Sequence, residues 1–222
     1  MKLVGFGCSF TYGSELLDPE LANSWDRHHE NTPYREKHSW LGRLAEKLDA
    51  SYINLAEPGA SNYSIQEKFA SYIHNAEDNV IICVGWTSHL RNSWWSDREQ
   101  RWIHDGFIRN ENETLFGASF KEWLLHSHKR CEQVTLNAKL FVNSVCKLHS
   151  IPILQFNAIG AHATTNYPGY FVDGSTMEGI LKQAQLEDVR KQLFASGGHP
   201  NEAGHFWFTK RLTLFAKEHI LL

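Results

Sequence analysis

The chain has 222 residues, 42% of them hydrophobic and 21% charged, with a formal net charge of -3. That length suits one α/β domain with a sizeable core, and the composition excludes disordered, fibrous and collagen-like classes. So small a negative charge supplies no field that would draw the protein onto nucleic-acid phosphates or an anionic membrane, and neither is expected as a partner.

Residues 2–7 form a short apolar run ending in glycine, read as a first strand; the run is too short and too soon broken by glycine to be expected to act as a signal peptide. Residues 18–38, rich in His, Asn, Asp and Glu, separate this strand from a helical pattern over 40–48. A second strand is predicted over 51–56 and a helix over 64–74. The run over 80–85 (Val-Ile-Ile-Cys-Val-Gly) is apolar throughout, as expected of a central parallel strand covered on both faces. Residues 86–120 hold Trp86, Trp94, Trp95 and Trp102 among Arg91, Arg98, Arg101 and Arg109, a stretch too long for a plain connection. A helix over 121–149 carries Val134, Ala138, Phe141, Val145 and Leu148 on one stripe. A fourth strand over 151–156 begins beside Pro152, and a last helix follows Asn201 with Phe208, Leu212 and Phe215 on one face.

Strand alternating with helix predicts a three-layer α/β/α sandwich around a parallel sheet, one domain over 1–222. Residues 18–38 and 86–120 are then insertions over the carboxyl ends of the strands, where such sheets bind ligands. No apolar run approaches the roughly 18 residues of a membrane span, so a cytoplasmic protein is expected. The four cysteines, Cys8, Cys83, Cys131 and Cys146, form no CxxC pair and are expected to be reduced and mostly buried.

Two segments carry candidate chemistry. In Gly5-Phe6-Gly7-Cys8-Ser9-Phe10-Thr11-Tyr12-Gly13, a serine sits just past the first strand, between glycines that let the backbone turn sharply. Its hydroxyl would stand at the mouth of the crevice, with nearby backbone N–H groups able to face an oxyanion. By itself the segment fits a helix-capping serine equally well. In Gly197-Gly198-His199-Pro200-Asn201-Glu202, a glycine-rich loop fixes a histidine immediately before a helix start. A serine needs a base to act as a nucleophile at neutral pH, and an imidazole is the usual partner. In a parallel sheet the two loops can meet over one crevice, which makes Ser9 and His199 a candidate catalytic pair.

Taken together, these blocks resemble the SGNH or GDSL hydrolase superfamily of flavodoxin-like esterases, lipases and acyltransferases. Ser9 lies in a segment similar to the first block. Residues 54–62 (Asn-Leu-Ala-Glu-Pro-Gly-Ala-Ser-Asn) resemble the second, which implies an oxyanion-binding backbone N–H at Gly59 beside that of Ser9. Gly85-Trp86-Thr87-Ser88 lies where the third block belongs, and His199-Pro200-Asn201 is similar to the fifth. The resemblance implies a flavodoxin-like sheet, an ester substrate of small-molecule or carbohydrate type, and no cofactor or metal. Water or a second alcohol would release the acyl group, so hydrolase and transferase both remain open.

Two positions depart from the family pattern. Thr87 replaces the asparagine whose amide helps bind the oxyanion, so either Thr87 serves as the third donor, or Asn62 substitutes, or the oxyanion hole is weaker. Ser196 replaces the aspartate three residues before the histidine. The imidazole would then be oriented by a backbone carbonyl, as a dyad, or by an acid from elsewhere such as Asp173 or Glu202.

Trp86 and Arg91 are candidate substrate-binding residues, a tryptophan face suiting a sugar or aromatic group and a guanidinium an anion. The pairs His28 with His29 and His126 with His128 are expected to be surface or packing residues, since such spacings do not face one another on a helix. The competing reading is a non-catalytic ligand- or protein-binding module on the same fold. A nucleotide-binding module fits less well, because the first loop lacks both a P-loop lysine and GxGxxG.

Overall fold

The computed structural model describes residues 1–21, 28–74, 78–107, 128–160, 171, 176–188 and 192–220. In chain order its elements are β1 (Lys2–Gly7), the one-turn α1 (Ser9–Tyr12), α2 (Thr32–His38), α3 (Trp40–Lys47), β2 (Ser51–Asn54), α4 (Asn62–Ile73), β3 (Val80–Trp86), β4 (Arg91–Ser96), β5 (Arg101–Phe107), α5 (His128–Leu148), β6 (Ile153–Asn157), α6 (Met177–Glu187) and α7 (Glu202–His219). Four of the strands make one parallel sheet in the order β2-β1-β3-β6. The apolar β3 lies second from one edge and is buried along its whole length, as expected of a strand covered on both faces.

Successive residues of a strand face opposite sides of its sheet, and β1 uses this to hold a helix on each face. At Gly5 an added Cβ would lie 2.4 Å from Leu41 Cδ2 of α3. Phe6, the next residue, packs edge-on against Phe69 of α4 with ring centroids 5.8 Å apart. On the α3 side, Phe156 of β6 links Trp40 to Phe208 of α7, at 5.1 and 4.9 Å between centroids. On the α4 side, Phe69 meets Phe141 of α5. Phe6, Trp40, Phe69, Phe156 and Phe208 are at most 1% exposed, and large side chains buried this fully contribute about 1.5–3 kcal/mol each; Phe141 is only partly covered.

The carboxyl edge of the sheet is shaped by two paired glycines. Gly7 is opposite Gly85, and a Cβ at either would fall within 2.4 Å of Thr11 Oγ1. Only glycine lets α1 settle this closely over the strand ends, and that seat fixes where Ser9 stands.

The described parts of the two insertions include regular elements. After a 3₁₀ turn at His29–Asn31, the last third of 18–38 is α2, whose Tyr34 and His38 reach Glu202 at the start of α7. Buried Asn31 donates to Leu16 O and accepts from Asp18 N, both at 2.8 Å, tying the segment back to the end of the first loop. Within 86–120 the chain forms an antiparallel hairpin of β4 and β5, pairing Trp95 with Trp102 and Ser93 with His104. Residues 108–120, like 121–127 of the predicted long helix, lie outside the described residues; α5 is described from His128. All four cysteines are buried and unpaired.

Candidate active site

β1 ends at Gly7, and the chain turns at once into α1, where the N–H groups of Thr11 and Tyr12 return to Cys8 O. This places Ser9 at the head of the one-turn helix, only 4% exposed. Its Oγ has no hydrogen-bond partner among the described residues. Ser9 borders an open cleft of about 310 Å³ whose wall also includes Glu15, Gly59, Arg91, Gly197 and His199. The first strand's turn, the turn after β2, the hairpin and the loop before α7 thus converge on one cavity.

The His199 ring is held from behind by a carboxylate. Glu15 Oε2 lies 2.8 Å from His199 Nδ1 and accepts the His199 backbone N–H at 3.1 Å, while Oε1 accepts Gly197 N–H at 2.7 Å. The charged oxygens fix both the ring and the loop that carries it. Burial works against ionisation of Glu15, but the hydrogen bonds from the His199 side chain and from the His199 and Gly197 backbone outweigh it, and its pKa is lowered. With Nδ1 facing the carboxylate, a neutral imidazole carries its proton there and leaves Nε2 unprotonated. Phe10 packs against the ring at 5.7 Å between centroids. Glu15 itself has a backbone φ of 67°, a left-handed conformation that is uncommon for a residue with a side chain and that costs about 1 kcal/mol or more.

Gly59 occupies a turn in which Ala60 N donates to Glu57 O at 3.2 Å. Pro58 at the second position and a φ of 85° at Gly59 are the type II pattern, which favours glycine there. The turn is tied to the sheet by Glu57 N, which donates to Gly7 O at 3.0 Å.

No protein-family model matches the sequence, and no curated protein matches it. Solved structures do. A carbohydrate esterase is similar at 15% identity with a TM-score of 0.49, over 98% of this chain and 64% of that one. An acetyl xylan esterase from the rumen bacterium Butyrivibrio proteoclasticus is similar at 13% identity and a TM-score of 0.45, over 98% of this chain and 63% of that one. A lipolytic protein of the G-D-S-L family from Veillonella parvula is similar at 13% identity and a TM-score of 0.37, over 98% and 97% of the two chains. These likenesses, at 13–15% identity, concern the fold alone. The chain spans just under two thirds of the length of the two esterases.

The remaining sequence candidates take separate places. Asn62 does not border the Ser9 cleft: its amide donates to Thr87 O at 2.8 Å and to Thr135 Oγ1 at 3.0 Å, and its carbonyl accepts Thr87 N–H. Those bonds use both amide hydrogens to clamp α4 to the end of β3 and to α5. Thr87 is fully buried and absent from the cleft wall. Trp86 is a core residue with no exposed surface, and its Nε1 donates to Gln155 Oε1 at 3.0 Å. The strand simply runs one residue further than its predicted end, carrying the indole inward. Arg91 is 8% exposed and does reach the cleft.

Ser196 is exposed, and the carboxylate behind His199 is Glu15, which sequence reasoning missed. Glu202 is engaged elsewhere: Tyr34 Oη, His38 Nδ1 and Arg43 Nη2 lie 2.9, 2.8 and 2.6 Å from its oxygens. Asp173 lies outside the described residues, as does His126. No cluster of three or more potential metal ligands occurs among the described residues, and no helix among them is long and apolar enough to cross a membrane.

Proposed function

We propose that this chain is a serine hydrolase or acyltransferase that acts on the ester bond of a small molecule or carbohydrate through Ser9, His199 and Glu15. One observation carries the reading: Glu15 holds His199 through Nδ1, and Ser9 borders the same cleft with its hydroxyl unpartnered. A serine hydroxyl and an oriented imidazole lining one cleft are the groups that nucleophilic acyl transfer needs, although no hydrogen bond joins the two among the described residues.

In this mechanism Ser9 Oγ attacks the acyl carbonyl while His199 Nε2 takes its proton. The carboxylate of Glu15 fixes the tautomer and stabilises the imidazolium, which is why the missing aspartate at Ser196 does not disable the site. Backbone N–H groups of Ser9 and Gly59 receive the oxyanion, with the Asn62 amide spent on structure. The tetrahedral intermediate collapses, His199 returns the proton to the leaving alcohol, and the acyl group stays on Ser9. Water, or a second alcohol, then attacks the acyl-enzyme with His199 again as base, and Ser9 is released with its proton restored. Arg91, at the cleft wall, is placed to meet a polar or anionic part of the substrate.

Hydrolysis of short-chain nitrophenyl esters tests the reading. Turnover should disappear in Ser9→Ala and His199→Ala proteins that retain the wild-type melting temperature. Turnover that survives either substitution, or a folded wild-type protein inert toward every ester tried, refutes it.

A further inference from the structure

The structure points to a second group of residues that serves the same cleft from outside it. We propose that His104, on β5 of the hairpin, is a positioning residue that holds the turn of residues 57–59 so that Gly59 presents its N–H to the oxyanion. The inference rests on the function proposed for Ser9.

His104 touches this turn at both ends. Its Nε2 lies 3.0 Å from Glu57 Oε2 at the first position of the turn. A Cβ built on Gly59, at the third position, would lie 3.0 Å from His104 Cβ, so the histidine packs directly against the glycine. The ring is oriented from its other nitrogen, with Ser93 Oγ 2.8 Å from Nδ1. Ser93 Oγ in turn accepts Ser61 N–H at 3.0 Å. The ionised carboxylate of Glu57 can only accept, so the ring proton that meets it sits on Nε2, and in that neutral tautomer Nδ1 accepts from Ser93 Oγ. Lys68 of α4 forms an ion pair with the same carboxylate through Oε1. One unbroken chain of contacts thus runs from the cap of α4, through the hairpin, to the turn.

Such a latch matters because of the kind of turn it holds. Type I and type II turns differ by a flip of their central peptide, here the bond from Pro58 to Gly59, and that peptide owns the Gly59 N–H. Glycine tolerates both forms with little intrinsic preference, so the sequence of the turn alone does not lock the donor in place. A side chain bonded to the first residue and packed on the third supplies the missing constraint. An oxyanion donor must be preorganised to help, and the loss of one such donor costs on the order of 10²–10³ in rate.

The test compares His104→Ala with His104→Gln, whose amide can still donate to Glu57. With a nitrophenyl ester, His104→Ala should lower kcat by about tenfold or more and leave KM within about twofold, since a partly released turn loses a fraction of a full donor. His104→Gln should recover most of that loss. An unchanged kcat in His104→Ala, a change confined to KM, or equal losses in both variants overturns the proposal. A second arm needs no turnover. In ¹⁵N-labelled protein the Gly59 amide resonance should move or broaden in His104→Ala and return toward its wild-type position in His104→Gln. A Gly59 resonance unmoved by His104→Ala refutes the positioning role even if the wild-type protein hydrolyses no ester, an outcome that would count only against the function proposed for Ser9.

Discussion

Replacing Glu15 by glutamine keeps the side chain's shape and removes its charge, which isolates what the carboxylate does for His199. In the wild-type protein three N–H groups converge on the two oxygens at 2.7–3.1 Å. Glutamine offers one oxygen and one NH₂. If the oxygen stays with His199, the bond to the ring survives without its charge, and a hydrogen bond to a charged partner is worth about 1.5–3 kcal/mol. Spent on the imidazolium at the transition state, that corresponds to about 10- to 150-fold in kcat. If the oxygen turns to Gly197, the NH₂ faces Nδ1, the ring proton moves to Nε2, and the base is lost. A wrong tautomer of this kind costs about 10⁴-fold in the analogous substitution of a serine-protease triad. Glu15→Gln should therefore lower kcat by between about 10- and 10⁴-fold, with KM changed only slightly. Ester hydrolysis at neutral pH, with thermal melting as the folding control, measures this. A kcat within threefold of wild type would refute the role given to Glu15.

Glu57 gives a pH-dependent expectation. The hydrogen bond from His104 lowers its pKa from 4.5 to about 2, against desolvation, with Lys68 assisting. Because the folded value lies below the unfolded one, the stabilisation is fully present above about pH 4.5 and is lost as pH falls toward 2. With the side chain 37% exposed, solvent screening leaves about 1–2 kcal/mol. Urea unfolding should show Glu57→Gln destabilised by that amount near neutrality and nearly matched to wild type at about pH 2; an equal deficit at both pH values contradicts the ion-pair account. Gly59→Ala puts a Cβ 3.0 Å from His104 Cβ at a φ of 85°, and should reduce kcat at least tenfold, by the oxyanion-donor scale, in stopped-flow or steady-state hydrolysis; full activity would remove Gly59 from the mechanism. Trp86→Phe deletes the donor to Gln155 and should cost about 1–3 kcal/mol in denaturant unfolding while kcat/KM stays within twofold. A large rise in KM instead would return Trp86 to the substrate site.

The layers were legible in the sequence because they rest on local pattern. Residues 80–84 are apolar without a break, so β3 could be little else, and Pro58-Gly59 announces a turn by its own backbone preferences. Ser9 and His199 were legible as candidates in the same way, each in a glycine-flanked segment at an element boundary, and both segments border one cleft. Glu15 was not, since it reaches His199 from 184 residues away and its left-handed backbone leaves no mark on the residue type. With Ser196 in place of the usual aspartate, the sequence left open a backbone carbonyl, Asp173 or Glu202; Asp173 lies outside the described residues, and Tyr34, His38 and Arg43 hold Glu202 elsewhere. The hairpin was read as a loop because residues 91–96 lack strict apolar alternation and the turn at 97–100 contains no glycine, with Gln100 taking the positive φ. Trp86 misled by position: one residue past the predicted strand end suggested the crevice, while one more strand residue turns it into the core.

The central claim is that Ser9 is a nucleophile activated by a histidine that Glu15 holds, and covalent labelling reads this most directly. Wild-type protein treated with a fluorophosphonate and digested for peptide mass mapping should carry the adduct on Ser9. Labelling should be abolished in Ser9→Ala and slowed in Glu15→Gln. A folded protein that takes no label, or takes it on another serine, contradicts the account.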